Sequence, residues 1–191
     1  MPKLGMEPIR REALVKATIT EIARQGSLDV TVAQIARAAG MSSGLAHHYF
    51  GSKEDIFLAA MRHTLRIYAA EVRGALAMAD APRARLEAVV RASFSRSNFR
   101  AETVAAWLNF YVLARTSGQA ARLLRVYQDR LRANLRHGLR ALGVAEARAV
   151  AERIAALIDG LYLHEALTRG TPDGPAAVAH VLTALEREIG A

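Results

Sequence analysis

Twenty consecutive residues, Thr31 to Phe50, restrict the fold of this chain more than any other stretch: TVAQIARAAGMSSGLAHHYF. They read as a short helix over 31–39, a turn built on Gly40, and a second short helix over 42–50. Thr31 and Ser42 are each suited to cap a helix N-terminus, because a hydroxyl there accepts from an orphaned backbone N–H. Ile35, Ala36 and Ala39 place an apolar stripe at helical spacing on the first piece. Leu45 and Tyr49 repeat the i, i+4 spacing on the second. Gly40 can take the left-handed conformation that ends a helix cheaply. Two such helices joined by a three- or four-residue glycine turn form a helix-turn-helix, whose second helix lies in the DNA major groove. An ordinary helical hairpin inside a bundle is the competing reading. Small residues at 36, 38, 39, 40, 44 and 46 favour the DNA-reading motif, since they permit a close, steep crossing.

The remainder of the chain is helical by pattern. A first helix over 8–25 carries Leu14, Val15, Ile19 and Ile22 on one side and stops at Gly26. Ser52 opens a long helix to about Met78, with acids in its first turn that complement the helix dipole. Beyond the break at Asp80-Ala81-Pro82, helical periodicity predicts segments over 83–97, 102–114, 119–142, 145–169 and 175–189, punctuated by Gly118, Gly143, Gly170 and the Thr171–Gly174 turn. The expected fold class is therefore all-α. A helix-turn-helix head occupies residues 1–50, and residues 51–191 form a connecting helix with an effector-binding and dimerisation domain. In the last two helices, Val150, Ile154, Leu157, Ile158, Leu161 and Leu163 face several directions, whereas Val178, Val181, Leu182, Leu185 and Ile189 read as one stripe. That much apolar surface suits packing against a second copy as a four-helix bundle, with closure of the monomer's own core as the alternative.

Charge and composition exclude more than they locate. There is no cysteine, which removes disulfides, thiolate metal sites and a cysteine nucleophile. No stretch of about 18 uncharged apolar residues is present, and the N-terminus lacks an apolar leader, so a cytoplasmic, nucleoid-associated protein is expected. The formal net charge of +8 suits a polyanionic partner. Residues 1–50 nonetheless hold six Lys/Arg against four Asp/Glu. Most of the excess lies at Arg115, Arg122, Arg125, Arg130, Arg132, Arg136 and Arg140. Enzyme signatures are missing: no nucleophile elbow, no H-E-x-x-H, no P-loop and no dinucleotide fingerprint. No cofactor or metal is expected, because the adjacent His47 and His48 do not share a helix face.

Two regions carry candidate chemistry. Ser42, Ser43 and Gly44 stand at the N-terminus of the second motif helix, where backbone N–H groups favour a phosphate. His47, His48 and Tyr49 follow on the same helix, and Thr31 caps the first. Lys3, Arg10 and Arg11 could add backbone contacts. Farther on, Trp107, Phe110 and Tyr111 occupy i, i+3 and i+4, so one helix presents three of the chain's eleven aromatic rings on one side. Ring faces attract quaternary ammonium ions, and Asp159 and Tyr162 could supply a carboxylate and a fourth ring. An aromatic stripe at helical spacing is more often plain core. Asp159-Gly160 in mid-helix also reads as a close-packing point at a dimer seam.

The motif and its sequel HYFGSKEDIF resemble the N-terminal domain of the TetR family of bacterial repressors. MPKLGMEPIRREALVKAT, the AQIARAAG–HYF run, WLNFY at 107–111 and ALIDGLYL at 156–163 resemble in particular that family's choline-responsive repressors of glycine-betaine synthesis. The resemblance implies a homodimer joined through its last two helices, a palindromic DNA operator, and choline or a related quaternary ammonium as effector. It also implies that Lys53 binds phosphate. An unrelated hydrophobic or cationic effector is the competing reading. Many relatives carry Leu-Tyr where this chain has Ala46-His47, which leaves open which side chain touches which phosphate.

Overall fold

The computed structural model describes residues 6–168 and 170–190, and helices are the only regular elements among them. They are α1 (Met6–Gln25), α2 (Val32–Ala38), α3 (Ser43–Phe50), α4 (Lys53–Ala77), α5 (Pro82–Ser93), α6 (Ala101–Thr116), α7 (Gly118–Ala141), α8 (Ala147–Leu167) and α9 (Gly174–Ile189). Lys3 lies outside the described residues.

Local chemistry accounts for the ends of the motif helices. The Thr31 hydroxyl accepts from the Gln34 backbone N–H, and the Gln34 side chain accepts from the Thr31 backbone, which makes a reciprocal capping box. At the other end of α2, Gly40 N–H donates to Arg37 and Met41 N–H to Ala36. With Gly40 at φ 68° this is a complete Schellman closure. Ser42 caps α3 by accepting from Leu45 N–H, and Ser52 caps α4 by accepting from Asp55 N–H.

Two apolar clusters organise the molecule. One joins Leu14, Ile19, Ile22, Val30, Ile35 and Ala46 to Ile56, Phe57, Leu58 and Met61 of α4, and extends to Ala106 and Phe110 of α6 and Ala120 of α7. The other gathers α5, α7, α8 and α9 around Val72, Leu86, Leu131, Leu135, Ile154, Ile158, Val181 and Leu185. The core beneath the motif thus runs well past residue 50 and takes in both α4 and α6.

Two expectations change. The helix predicted over 83–97 stops at Ser93, because the Asn98 side-chain amide takes the Ala92 carbonyl at 2.9 Å and Glu71 Oε2 at 2.7 Å. The Ser95 and Ser97 hydroxyls also donate to Glu71, which fastens the turn to α4. Periodicity could not reveal this, since the stop comes from a carboxylate 24 or more residues upstream. The single stripe on the last helix is two: Val181 and Leu185 are buried in the chain's own core, while Val178 and Leu182 remain partly exposed. Gly160 is exposed, and an added Cβ would meet nothing within 4 Å. Close packing at Gly160 is therefore not a feature within one chain.

Candidate DNA-binding and effector sites

The head leaves Ser42, at the cap of α3, and Ser43, Gly44, His47 and His48 within it exposed to solvent, while Ala46 is fully buried. Small size at position 46 is what allows α3 to sit against α1 and α2. His47 Nδ1 lies 3.2 Å from the Gly51 carbonyl oxygen, which steadies the ring beside the helix end. Tyr49 is half-buried and tied to α1: the Arg10 guanidinium donates to its hydroxyl at 3.4 Å, and that of Arg11 to its carbonyl at 2.5 Å. Arg11 also stacks on Phe50, 4.7 Å from the ring centroid. Arg10 and Arg11 thus brace α3 from behind, a use that the sequence reading did not foresee. Thr31 and Ser42 spend an acceptor lone pair on capping, and the Ser42 hydroxyl hydrogen stays available. Lys53 opens α4 and rests its ammonium 5.3 Å from the Phe57 ring centroid. Ser43, Gly44 and Lys53 therefore stand at the first turns of two helices whose N-terminal dipoles favour phosphate.

In the larger part, the candidate aromatics divide. Phe110 is fully buried within the head-side cluster, 6.4 Å centroid to centroid from Trp107. Trp107 and Tyr111 face the other way. Trp107 meets Tyr111 at 5.8 Å, Tyr162 at 6.1 Å and Tyr127 at 4.8 Å, and Tyr127 stands edge-on to Tyr68 at 5.3 Å. Tyr68 and Tyr127 are members that sequence spacing could not find, because α4 and α7 deliver them from 39 residues upstream and 20 downstream of Trp107. Tyr162 turns its hydroxyl away from Asp159. It donates to the Ser93 carbonyl and lies 3.2 Å from that of Asn98, with its ring against Phe94 and Phe99.

Asp159 is the acid of this cluster. Tyr127 donates to its Oδ1 at 3.1 Å. Burial raises the Asp159 carboxyl above its ordinary range, and hydrogen bonding, first from Tyr127, then Tyr111 and Gln128, and the Arg132 charge only partly offset that. The phenols shift upward too, chiefly through burial: Tyr68 is pushed to about 12, and Tyr111, Tyr127 and Tyr162 are also raised. All four stay protonated near neutral pH, as donors and as ring faces. Beside Tyr68 and Tyr127, between α4 and α7, lies a cavity of about 390 Å³ lined also by Leu65, Val72, Val126 and Asn134.

This architecture, a small helix-turn-helix head on a larger helical body, defines a class of DNA-binding transcriptional regulators, and the comparisons with known proteins agree. Residues 14–60 match the model for bacterial regulatory proteins of the tetR family, and residues 82–190 match that for the BetI-type transcriptional repressor C-terminal domain. The chain belongs to the BetI-type branch of the TetR family of transcriptional repressors. It is 50% identical over 182 residues to the HTH-type transcriptional regulator BetI of Brucella suis, covering 95% of this chain and 92% of that one. It is 49% identical to the BetI regulator of Rhizobium meliloti over 94% of this chain and 89% of the other. Among solved structures, a putative transcriptional regulator from Pseudomonas aeruginosa superposes with a TM-score of 0.81 at 28% identity, covering 98% of this chain and 93% of that one. One from Saccharomonospora viridis, determined in complex with choline, shares the fold with a TM-score of 0.80 at 24% identity, covering 92% and 95%. The relatives are transcriptional regulators and not enzymes, as the sequence led one to expect.

Proposed function

We propose that this repressor is a cytoplasmic homodimer that binds a palindromic operator through α3 and releases or retains it according to a quaternary ammonium effector, choline or a close relative. In this reading residues 1–50 read DNA and residues 51–191 sense the effector and dimerise. The observation that carries it is a cluster of Tyr68, Trp107, Tyr111 and Tyr127 in which Tyr127 also bonds the half-buried Asp159 carboxylate. Choline's nitrogen has no hydrogen to donate, so ring faces and a counter-charge are what a protein can offer it. The relatives' BetI name and the choline-bound neighbour support the same effector.

A mechanism follows from the spacing. A cation held between two rings can lie up to about 6 Å from each centroid, and the 4.8 Å between Trp107 and Tyr127 leaves no room for one. Entry from the α4/α7 cavity must part α6 from α7. Because α6 also carries Phe110 and Ala106 into the head-side core, parting it displaces the head. Operator DNA needs two recognition helices about 34 Å apart. An effector that favours another spacing lowers DNA affinity by its differential affinity for the two states. In this mechanism α6 acts as a lever together with the long helix α4.

The decisive experiment is calorimetric titration with choline. Trp107→Ala should weaken binding by about 1–2 kcal/mol, roughly tenfold, and Trp107→Phe by less. Phe110→Ala should act on folding rather than on choline contact. Equal choline binding by wild type and the Trp107→Ala variant would remove the cage and leave the rings as core; no binding by wild type would point to an unrelated hydrophobic or cationic effector.

At the DNA end, Lys53→Ala should weaken all sequences alike and lower the salt slope by about one unit for each phosphate that the lysine neutralises. Ser43→Ala or His47→Ala should instead blunt discrimination between the operator and mixed-sequence DNA. Binding curves at several salt concentrations separate the two behaviours. An unchanged specificity ratio in both α3 variants would mean that α3 is not the reader.

A further inference from the structure

The arginine excess that begins at Arg115 has no part in the motif, and the fold brings its first members to the head. The Ser117 hydroxyl, which caps α7, donates to Glu54 at 2.6 Å, one residue from Lys53 at the start of α4. Farther along, Arg62 donates to the Gln119 side chain at 3.2 Å. Beyond that, Leu65, Tyr68, Val72 and Leu76 of α4 line one wall of the α4/α7 cavity, and Val126, Tyr127, Arg130 and Asn134 of α7 line the other. Partners advance in step along both helices, so α7 runs beside α4 in the same direction. The elbow between α6 and α7 therefore sits at the same end of the molecule as Lys53.

Arg115, in the last turn of α6, and Arg122, in the second turn of α7, flank that elbow; Arg115 is exposed and Arg122 is exposed likewise. Among the described residues neither forms an ion pair, although arginines at 83, 91, 132, 148 and 153 do. Glu54, the acid that meets the elbow, accepts from the Ser117 hydroxyl. Arg136 and Arg140 lie at the far end of α7. At 1.5 Å per residue, they are about 20–27 Å along the axis from Arg122.

Building on the DNA-binding reading, we propose that Arg115 and Arg122 form a second phosphate-binding element, through which the effector domain itself grips the DNA backbone beside the Lys53 contact. Guanidinium groups suit this task because they meet phosphate oxygens with paired donors. Such contacts carry no sequence information and add to affinity and salt dependence alone. They also place the effector domain in direct register with DNA, so that movement of α7 on effector binding alters backbone contacts without acting through the head.

The test uses the full-length protein and a duplex that it selects from a random library, with a mixed-sequence duplex in parallel. Affinity is measured over a range of salt concentrations for wild type, Arg115→Ala/Arg122→Ala, Lys53→Ala and the distal control Arg136→Ala/Arg140→Ala. Each arginine that touches a phosphate should remove about one unit of salt slope per protomer, and the elbow pair should weaken both duplexes by the same factor. The distal pair should leave the slope near wild type, and melting curves should show all variants folded. An unchanged slope in the elbow variant, or an equal loss in the distal one, overturns the proposal. If Lys53→Ala alone lowers the slope, the DNA face stands without the elbow; if no variant does, the DNA face itself is misplaced.

Discussion

Replacing Asp159 with Asn should weaken choline binding by about 3 kcal/mol, the Coulomb attraction of opposite unit charges at a separation of ~5 Å and an effective dielectric constant of ~20, while raising the melting temperature of the free protein. The two effects have one cause. Without a ligand cation, the carboxylate is held among Tyr127, Tyr111 and Gln128 with only Arg132 nearby to favour its charge, and burial raises its pKa. A folded-state pKa above the unfolded value means that the ionised group costs stability at neutral pH. That cost is relieved as the pH falls through the raised value, and relief is complete below the ordinary value of 3.8, where the unfolded chain takes up the proton as well. Asparagine never bears the cost, so the variant's melting temperature should vary less with pH across that window. Choline needs the charged form. Wild-type affinity should therefore fall as the pH drops through the raised pKa, in the direction opposite to stability. Glycine betaine, which carries its own carboxylate, should bind wild type less well than choline does and lose little in the variant. Calorimetry at several pH values with parallel melting curves reads both. A variant that binds choline as wild type does would show that Asp159 is not the counter-charge.

Leu182→Glu and Leu185→Glu should fail in different ways, although they stand only three positions apart on one helix. Leu185 is 1% exposed and belongs to the chain's own core. A glutamate there is a buried, unpaired charge, worth roughly 3–5 kcal/mol out of a total stability of about 5–15 kcal/mol. That chain should lose its cooperative melting transition or shift it far down. Leu182 is only partly covered, alongside Val178, Leu157 and Leu161, and the exposed Ala156 and Gly160 leave the adjoining surface of α8 low. A second copy can approach closely there. Leu182→Glu should therefore keep its helical circular dichroism and sediment as a monomer, with operator affinity reduced because two linked heads no longer bind together. A wild-type chain that sediments as a monomer at micromolar concentration would remove the seam and the palindromic operator with it.

The contrast between those leucines marks what the sequence determined. Local signals were sufficient wherever the structure depends on bonds between near neighbours. Thr31 and Ser42 cap their helices, Gly40 closes the turn, and Ser52 starts the long helix, since each acts on a backbone group at most a few residues away. The helix-turn-helix, the all-α class and the order of helices were legible for that reason, and the exposure of Ser43, Gly44, His47 and His48 followed from the same periodicity.

Tertiary structure decided the rest, because a helix's periodicity says which residues share a face and not what that face meets. Val181 and Leu182 look alike in a stripe, yet α5 and α8 cover one and leave the other partly open. Trp107 and Phe110 share one helix, but the first turns to the tyrosine cluster and the second to the head. Tyr68 and Tyr127 carry no local mark, and they join the ring cluster of Trp107 because α4 and α7 run side by side. The same pairing brings the Arg115–Arg122 elbow beside Lys53. Those placements rest on contacts between residues tens of positions apart, and such contacts form only when the whole set of helices has packed.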